Sequence, residues 1–131
     1  MTALPTASLD AETAQRILAR VPYASRFPVG CLVPPVGLLQ SSVRSLGELE
    51  LALRPEPRSL AGVHLERLAA WIESAVGDPV GAAAVRDAAR DAACYADACE
   101  AIHYLIRDRV ASARLAVEAV PGGQIPGRDT R

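Results

Sequence analysis

A Glu-x-x-His step, Glu100 followed by His103, is the arrangement in this sequence that comes nearest to a site for chemistry. The segment around it has helical spacing, and residues i and i+3 of a helix lie on one face, one turn apart. A carboxylate and an imidazole placed in this way can ligate one metal ion, and bundles that hold two iron ions use the same unit. Glu66, on the preceding predicted helix, is the candidate for a further ligand.

The alternative to a metal site is a surface contact between Glu100 and His103. A Glu-x-x-His step recurs by chance in helices, and Glu66 is one of several carboxylates that could complete a centre. We therefore favour the interpretation without a cofactor. A ferritin-like dimer that binds iron or zinc through Glu66, Glu100 and His103 remains open as an alternative.

The cysteines Cys31, Cys94 and Cys99 show neither the spacing of a disulfide framework nor that of a zinc module. They predict reduced thiols and a cytoplasmic protein. Cys99 and His103 are four residues apart and share a helix face, so a zinc site completed by Cys31 or His64 is a further alternative. The sequence singles out no catalytic residue.

Composition excludes several classes of function. All 14 basic residues are arginine, and lysine and asparagine are both absent, as expected from a GC-rich, bacterial genome. Without lysine the chain cannot form a Schiff base or hold a phosphate with a Walker lysine. A net charge of −1 argues against binding to nucleic acid or to a charged membrane surface. The nucleotide-binding, zinc-protease, thioredoxin and hydrolase signatures are missing, so enzyme activity is not predicted.

The abundance of small aliphatic residues predicts an all-α fold. Alanine occupies 25 positions and leucine 15, whereas aromatic residues make up 4% of the chain. The apolar spacing predicts a bundle of about four helices in one domain over residues 1–120, followed by a disordered tail over 121–131. The helices are expected from Ser8 or Asp10 to Val21, over Leu46 to Leu53, from Ser59 to Val76, and from Asp78 and Pro79 to Val120.

Residues 22–40 contain four prolines and two glycines among mostly apolar neighbours. We expect an irregular loop that packs over the helices, since a loop of this composition would otherwise expose an apolar patch. The alternatives are a docking loop or a lid over a small-molecule pocket near Cys31 and Tyr104. The neighbouring segment 42–54 could be read as a helix or as a strand. We prefer the helix, because no second alternating segment is evident to pair with a strand.

The last predicted helix is too long for one chain to cover. Residues 79–120 number 42 and would span about 63 Å as one helix, whereas a compact domain of this size has a radius of gyration of about 14 Å. Either the helix breaks or a second copy covers its apolar stripe. The interval offers no proline or glycine after residue 81 to cause a break, so we expect a homodimer. Its interface residues would be Ile102, Ile106, Val110, Ala113 and Val117.

The leading hypothesis is therefore a non-enzymatic helical protein that acts through protein–protein contacts, with a second copy of itself as the expected partner. The alternatives are a small helical enzyme or small-molecule-binding protein with a pocket under residues 22–40, and the metal-binding dimer. The sequence shows no apolar run long enough to span a membrane and no signal-peptide pattern.

Overall fold

A computed structural model describes residues 9–118 of the chain. Within that range the chain forms five α-helices and a three-stranded antiparallel sheet, so the predicted all-α helical bundle is wrong and the fold is mixed α/β. The helices are α1 (Ala11–Leu18), α2 (Leu46–Ala52), α3 (Leu65–Trp71), α4 (Pro79–Asp91) and α5 (Tyr95–Glu118), and the strands are β1 (Phe27–Val33), β2 (Gly37–Val43) and β3 (Leu60–Gly62). The predicted tail over 121–131 lies outside the described residues.

Side-chain caps start α1 and α4 where the sequence predicts them. The helix predicted from Ser59 begins instead at Leu65 with His64 as its cap, because Leu60–Gly62 pair with β1 as β3. Asp10 accepts a hydrogen bond from the backbone N–H of Thr13, and Asp78 accepts one from Gly81. Pro79 occupies the first turn of α4, where a missing N–H costs nothing. At the end of α3 the chain continues as a wider π-helical turn to Val76 and stops at Gly77, whose φ of 83° suits glycine.

Residues 22–40 do not form the predicted loop. β1 and β2 pair as a hairpin in which Phe27 lies opposite Val43 and Val33 lies opposite Gly37. Gly37 follows the turn at Pro34–Val36 and has a φ of 111°. Residues other than glycine rarely adopt this backbone conformation. β3 pairs with the other edge of β1, which gives the strand order β2-β1-β3.

The hairpin lacks the alternation that normally marks a half-buried strand. Phe27 and Val29 of β1 and Val43 of β2 are buried, but beyond them the strands leave the helices. The far ends carry apolar side chains on both faces, so apolar residues follow one another without a period of two. This continuity, together with the prolines, explains why the sequence predicts a loop.

The predicted helix over 79–120 is interrupted at residues 92–94, which separate α4 from α5. Ala92 leaves the helix with a φ of −75° and a ψ of 149°, although neither proline nor glycine is present at the break. The interruption lets α5 fold back against α4, and α1 and α2 also pack on α5. The long apolar stripe is thus covered within one chain, so its length no longer requires a second copy.

The core lies around α5, and the sheet joins it at one end. Ile102 and Ile106 are fully buried among side chains of the other helices. At the near end of the sheet the rings of Phe27 and Trp71 lie 5.5 Å apart, and Trp71 Nε1 donates a 2.6 Å hydrogen bond to the carbonyl oxygen of Ser25. None of the helices in residues 9–118 is long and apolar enough to cross a membrane.

A buried ion pair fixes α5 against the start of α4. Arg109 Nε and Nη2 donate to the two carboxylate oxygens of Asp78 at 2.9 and 2.6 Å. Asp78 is 1% exposed and Arg109 is 4% exposed. The pair is bidentate, and the Gly81 N–H donates a third hydrogen bond to the same carboxylate. Each buried charge therefore has an opposite charge and hydrogen-bond partners inside the protein.

Gly81 leaves the space in which the Asp78 carboxylate lies. A Cβ at position 81 would overlap Asp78 Oδ2 and would lie 2.9 Å from its Cγ. We expect Gly81→Ala to lower the free energy of unfolding by roughly 1 to 3 kcal/mol through overpacking, although alanine is the better helix former. Urea denaturation followed by circular dichroism measures the change.

Gly47, in the first turn of α2, is the matched control. A Cβ there would meet only Ser45 Oγ, at 3.8 Å. Gly47→Ala should therefore leave the free energy of unfolding unchanged or raise it by up to about 1 kcal/mol. Equal effects of the two substitutions would contradict the role given to Gly81.

Candidate interaction site

The proposed metal ligands do not converge. His103 is buried and its ring faces Glu50, whereas Glu100 is exposed on α5. Glu66 Oε2 lies 3.5 Å from Arg86 Nε, so its carboxylate contacts a guanidinium. Among residues 9–118 no group of three or more His, Cys, Asp or Glu side chains is placed to hold a metal ion. Iron or zinc binding thus has no geometric support in the described part of the chain.

His103 instead connects α5 to α2. Its Nδ1 lies 3.0 Å from the backbone carbonyl oxygen of Glu50, and since a carbonyl only accepts, Nδ1 carries the hydrogen. Nε2 lies 3.5 Å from Glu50 Oε2, and both oxygens of that carboxylate accept hydrogen bonds from Arg54 at 3.2 Å. Glu50 was not singled out from the sequence, because the partner of His103 is 53 residues away.

The predicted interface residues face the interior of the chain. Four of the five are buried in the core and the fifth is half-buried against it: Ile102, Ile106, Val110, Ala113 and Val117. In this fold they contact α1, α2 and α4 in place of a second copy. A homodimer stays a prediction.

The three thiols are free and occupy different environments. Cys94 is exposed, Cys31 is half-buried and Cys99 is buried. Burial raises the pKa of the Cys99 thiol, which opposes formation of a nucleophilic thiolate. His64, the other proposed zinc ligand, caps α3 by accepting the Arg67 N–H at its Nδ1. The zinc alternative therefore finds no common centre among these residues.

The hairpin of β1 and β2 exposes apolar side chains that do not contribute to the core. Residues 27–43, seventeen in succession, include no charged side chain. Several large apolar side chains of this hairpin and of β3 are exposed, namely Leu32, Val36, Leu38, Leu39 and Leu60. Clusters of exposed apolar side chains mark contact surfaces in soluble proteins.

The outer face of the sheet carries a row of three leucines. Leu32 of β1 lies opposite Leu38 of β2 and opposite Leu60 of β3, so one leucine comes from each strand. Leu38 lies over Gly30 and Gly62, where a Cβ would meet its Cδ1 at 3.0 and 3.5 Å. The two glycines let this side chain lie flat across the sheet. We call these three residues the leucine row.

The opposite face of the hairpin forms one wall of a groove of about 500 Å³. Leu39, Cys31 and Ala61 line the sheet side, and Leu51 and Ala52 of α2 line the helix side. Leu39 is 51% exposed and Leu51 is 59% exposed, so both apolar side chains border the open mouth. Glu48, on the rim, contacts the Arg44 N–H and the Arg20 guanidinium.

The free edge of β2 runs between the leucine row and the groove. Within the described residues β2 has β1 on one side and no strand on the other. Leu38, Leu39, Gln40 and Ser41 are exposed in succession, on both faces of the strand. Natural edge strands are usually protected by charge, proline or a bulge, and β2 has neither a charged residue nor a proline. We call this segment the β2 edge.

Sequence reasoning missed the residues of this site because they are brought together only by the fold. Leu39 and Leu51 belong to different elements, and each looks like an ordinary core leucine in its own segment. The signal that could have found them is the absence of charge from Phe27 to Val43. A core-covering loop tolerates such a run as well as an exposed edge does, so the run alone does not distinguish the two.

Comparison with protein-family models, with curated proteins and with solved structures finds no match to this chain. Its function is therefore argued from the geometry of the site.

Tyr95, the first residue of α5, holds β3 at the end of the groove. Its hydroxyl donates to the Ala61 carbonyl oxygen at 2.6 Å and accepts the Val63 N–H at 2.8 Å. Burial raises the pKa of the Tyr95 phenol to about 12 from the usual 10.0, against the lowering effect of the Val63 N–H. The folded state thus favours the protonated phenol.

Stability should depend on this phenol at alkaline pH. A raised folded-state pKa gives a contribution that is complete below pH 10.0 and is lost as the pH rises toward about 12. Tyr95→Phe should lower the free energy of unfolding at pH 8 by about 1 to 3 kcal/mol and should flatten its decline above pH 10. Urea denaturation of both proteins from pH 8 to 11.5 measures this. Parallel declines would contradict the assignment.

Proposed function

We propose that this chain acts through protein–protein contacts, by accepting a partner strand at the β2 edge, and that it is not an enzyme. The observation that carries the proposal is the exposed, uncharged β2 edge between the leucine row and the groove. Strand addition of this kind is a known mode of recognition, in which the main chain supplies affinity and pockets on either face supply specificity.

The main chain of β2 can bind a partner directly. In an antiparallel sheet, successive residues of a strand direct their N–H and C=O groups to alternate sides. One set pairs with β1, and the other set points away from it along the exposed segment Leu38–Ser41. Each hydrogen bond formed with a partner would contribute about 0.5 to 1.5 kcal/mol.

The side chains of the site define the chemistry of the partner. In an added strand, alternate side chains would extend the leucine row on one face and cover Leu39 and Leu51 on the other. On the outer face, where residues 27–43 offer no charge, a charged partner side chain would lose its hydration without gaining a counter-ion. On the groove face the nearest charges are those of Glu48, Arg54 and Glu56. The favoured partner is an extended segment of apolar and small polar residues.

The buried polar groups among residues 9–118 support a non-enzymatic role. Asp78 and Arg109 bind each other, and His103 is held against Glu50. Cys99 is shielded by burial, which raises its pKa. Each of these buried groups thus has a structural partner or is shielded from solvent. We also propose a reducing, cytoplasmic setting, in keeping with three free thiols.

A synthetic peptide tests strand addition. The probe is a fluorescein-labelled seven-residue peptide of alternating leucine and threonine, and its anisotropy is measured against dilute protein. We expect saturable binding to the wild type. Leu39→Lys, which places an ammonium group at the mouth of the groove, should weaken binding by about tenfold or more, equivalent to about 1.4 kcal/mol.

Two controls separate strand addition from adhesion to any apolar surface. Leu115→Lys changes another exposed leucine, on α5 and outside the site, and should leave the affinity unchanged. A peptide N-methylated at every residue keeps its side chains but loses the N–H donors of both edges, so it should bind far more weakly. Equal binding of both peptides, or equal effects of the two lysine variants, would reject the proposal.

A second candidate function is the binding of a small apolar molecule in the groove. The groove volume of about 500 Å³ is favourable, since ligand pockets commonly span about 300 to 1,000 Å³. Its apolar side chains come from both the sheet and α2, and the Cys31 thiol lies in its wall. The groove is lined by Cys31 but not by Tyr104, the other residue near which the sequence predicts a pocket.

Fluorescence of N-phenyl-1-naphthylamine, which rises in apolar sites, tests this candidate. Cys31→Leu would fill part of the groove and should weaken probe binding by about tenfold, an effect of about 1.4 kcal/mol. Cys94→Leu is the matched control, because Cys94 is exposed and is not among the residues that line the groove. If Cys31→Leu bound the probe as the wild type does, the groove would not be the binding site.

A further inference from the structure

We infer that the partner strand is β2 of a second copy of this chain, paired antiparallel across a two-fold axis at Gln40. This inference rests on the proposed function, since it names the occupant of the same β2 edge. It places the second copy at the sheet, away from the buried side chains of α5.

The charge pattern favours a second copy. A two-fold interface brings each surface against itself, so any net charge on that surface meets the same charge. Residues 27–43 contain no charge, so the two paired β2 strands bring no like charges together. The charges that line the adjoining groove are of both signs: Glu48, Arg54 and Glu56. Arg26 and Arg44, the nearest charged residues along the chain, flank the hairpin at the end close to the helices.

The length of β2 defines the register. A two-fold pairing in which every residue from Gly37 to Val43 has a partner must place Gln40, the middle residue, opposite Gln40 of the second copy. Leu38 then lies opposite Ser42 of the second copy, and Leu39 lies opposite Ser41. Shifting the register by two residues would leave part of each strand unpaired. A shift of one residue would place side chains that point to opposite faces directly across from each other, which a two-fold axis perpendicular to the sheet does not allow.

The side chains complement themselves in this register. On the outer face the two Gln40 amides meet at the axis, and each amide can donate one hydrogen bond and accept one. On the groove face the two Leu39 side chains lie diagonally across the strand pair, within reach of each other. Leu51 lines the same groove as Leu39, so one groove adjoins the strand pair on this face in each copy. The joined sheet has six strands, with β2 of each copy at its centre.

Site-specific cross-linking tests the register. Gln40→Cys is introduced into a parent with Cys31→Ser and Cys94→Ser, so that the remaining native thiol is the buried Cys99. Opposed Cβ atoms in a sheet approach closely enough for a disulfide, whereas residues four positions apart across the pair do not. Mild oxidation should therefore give a covalent dimer of Gln40→Cys.

Ser42→Cys is the matched control on the same face of the strand. It lies opposite Leu38, so it should not cross-link to itself, but a mixture with Leu38→Cys should give a covalent heterodimer. The parent without a new cysteine should give none. Gln40→Lys, which would bring two ammonium groups together at the axis, should convert the dimer to a monomer in sedimentation velocity while circular dichroism stays unchanged.

The outcomes separate this inference from the proposed function. A wild-type monomer that still binds the alternating peptide at the β2 edge would overturn the second copy and leave strand addition in place. A dimer that survives Gln40→Lys, or Ser42→Cys cross-linking as fast as Gln40→Cys, would also overturn the inference. A monomer that binds no peptide would overturn both proposals.

Discussion

The ion pair between Asp78 and Arg109 is the constraint on which the other contacts depend. Removing two charges from water costs several kcal/mol per ion, roughly what their attraction returns, so such a pair adds little net stability. Breaking it leaves a buried charge and costs about 3 to 5 kcal/mol. Its effect is therefore to select one alignment of α5 against α4. The same carboxylate caps α4, and the absence of a side chain at Gly81 leaves room for it.

The alignment of α5 positions the elements of the site. Tyr95, at the start of α5, binds the main chain of β3, while His103, two turns further on, binds the main chain of α2. The sheet and α2 are the two walls of the groove, so one helix sets the distance between them.

The sequence predicts those features that depend on neighbouring residues. The caps at Asp10 and Asp78, the stop at Gly77 and the helix of α2 follow from local hydrogen bonding and spacing. The break at residues 92–94 does not, because no local breaker causes it and the gain comes from packing α5 on three other helices. The sequence also does not predict the hairpin or the pairing of Glu50 with His103, because both depend on contacts between segments that are distant in sequence. From the sequence, the β2 edge could be recognised only as part of the uncharged apolar segment 27–43. Neither its strands nor the groove could be predicted.

The site can vary without disturbing the fold, since its exposed residues lie outside the core. The sheet is anchored by Phe27, Val29 and Val43, whereas Leu38–Ser41 project beyond them. Substituting a polar residue for an exposed leucine there would cost little stability, so packing alone gives no reason to keep leucine on both faces of an unprotected edge. Gly30 and Gly62 lie beneath Leu38. Each glycine weakens its own strand, and each leaves room for the Leu38 side chain to lie flat on the sheet. An uncharged edge that exposes leucine and contains glycine suits the strand addition proposed above. Because these residues lie outside the core, binding and folding can be measured separately.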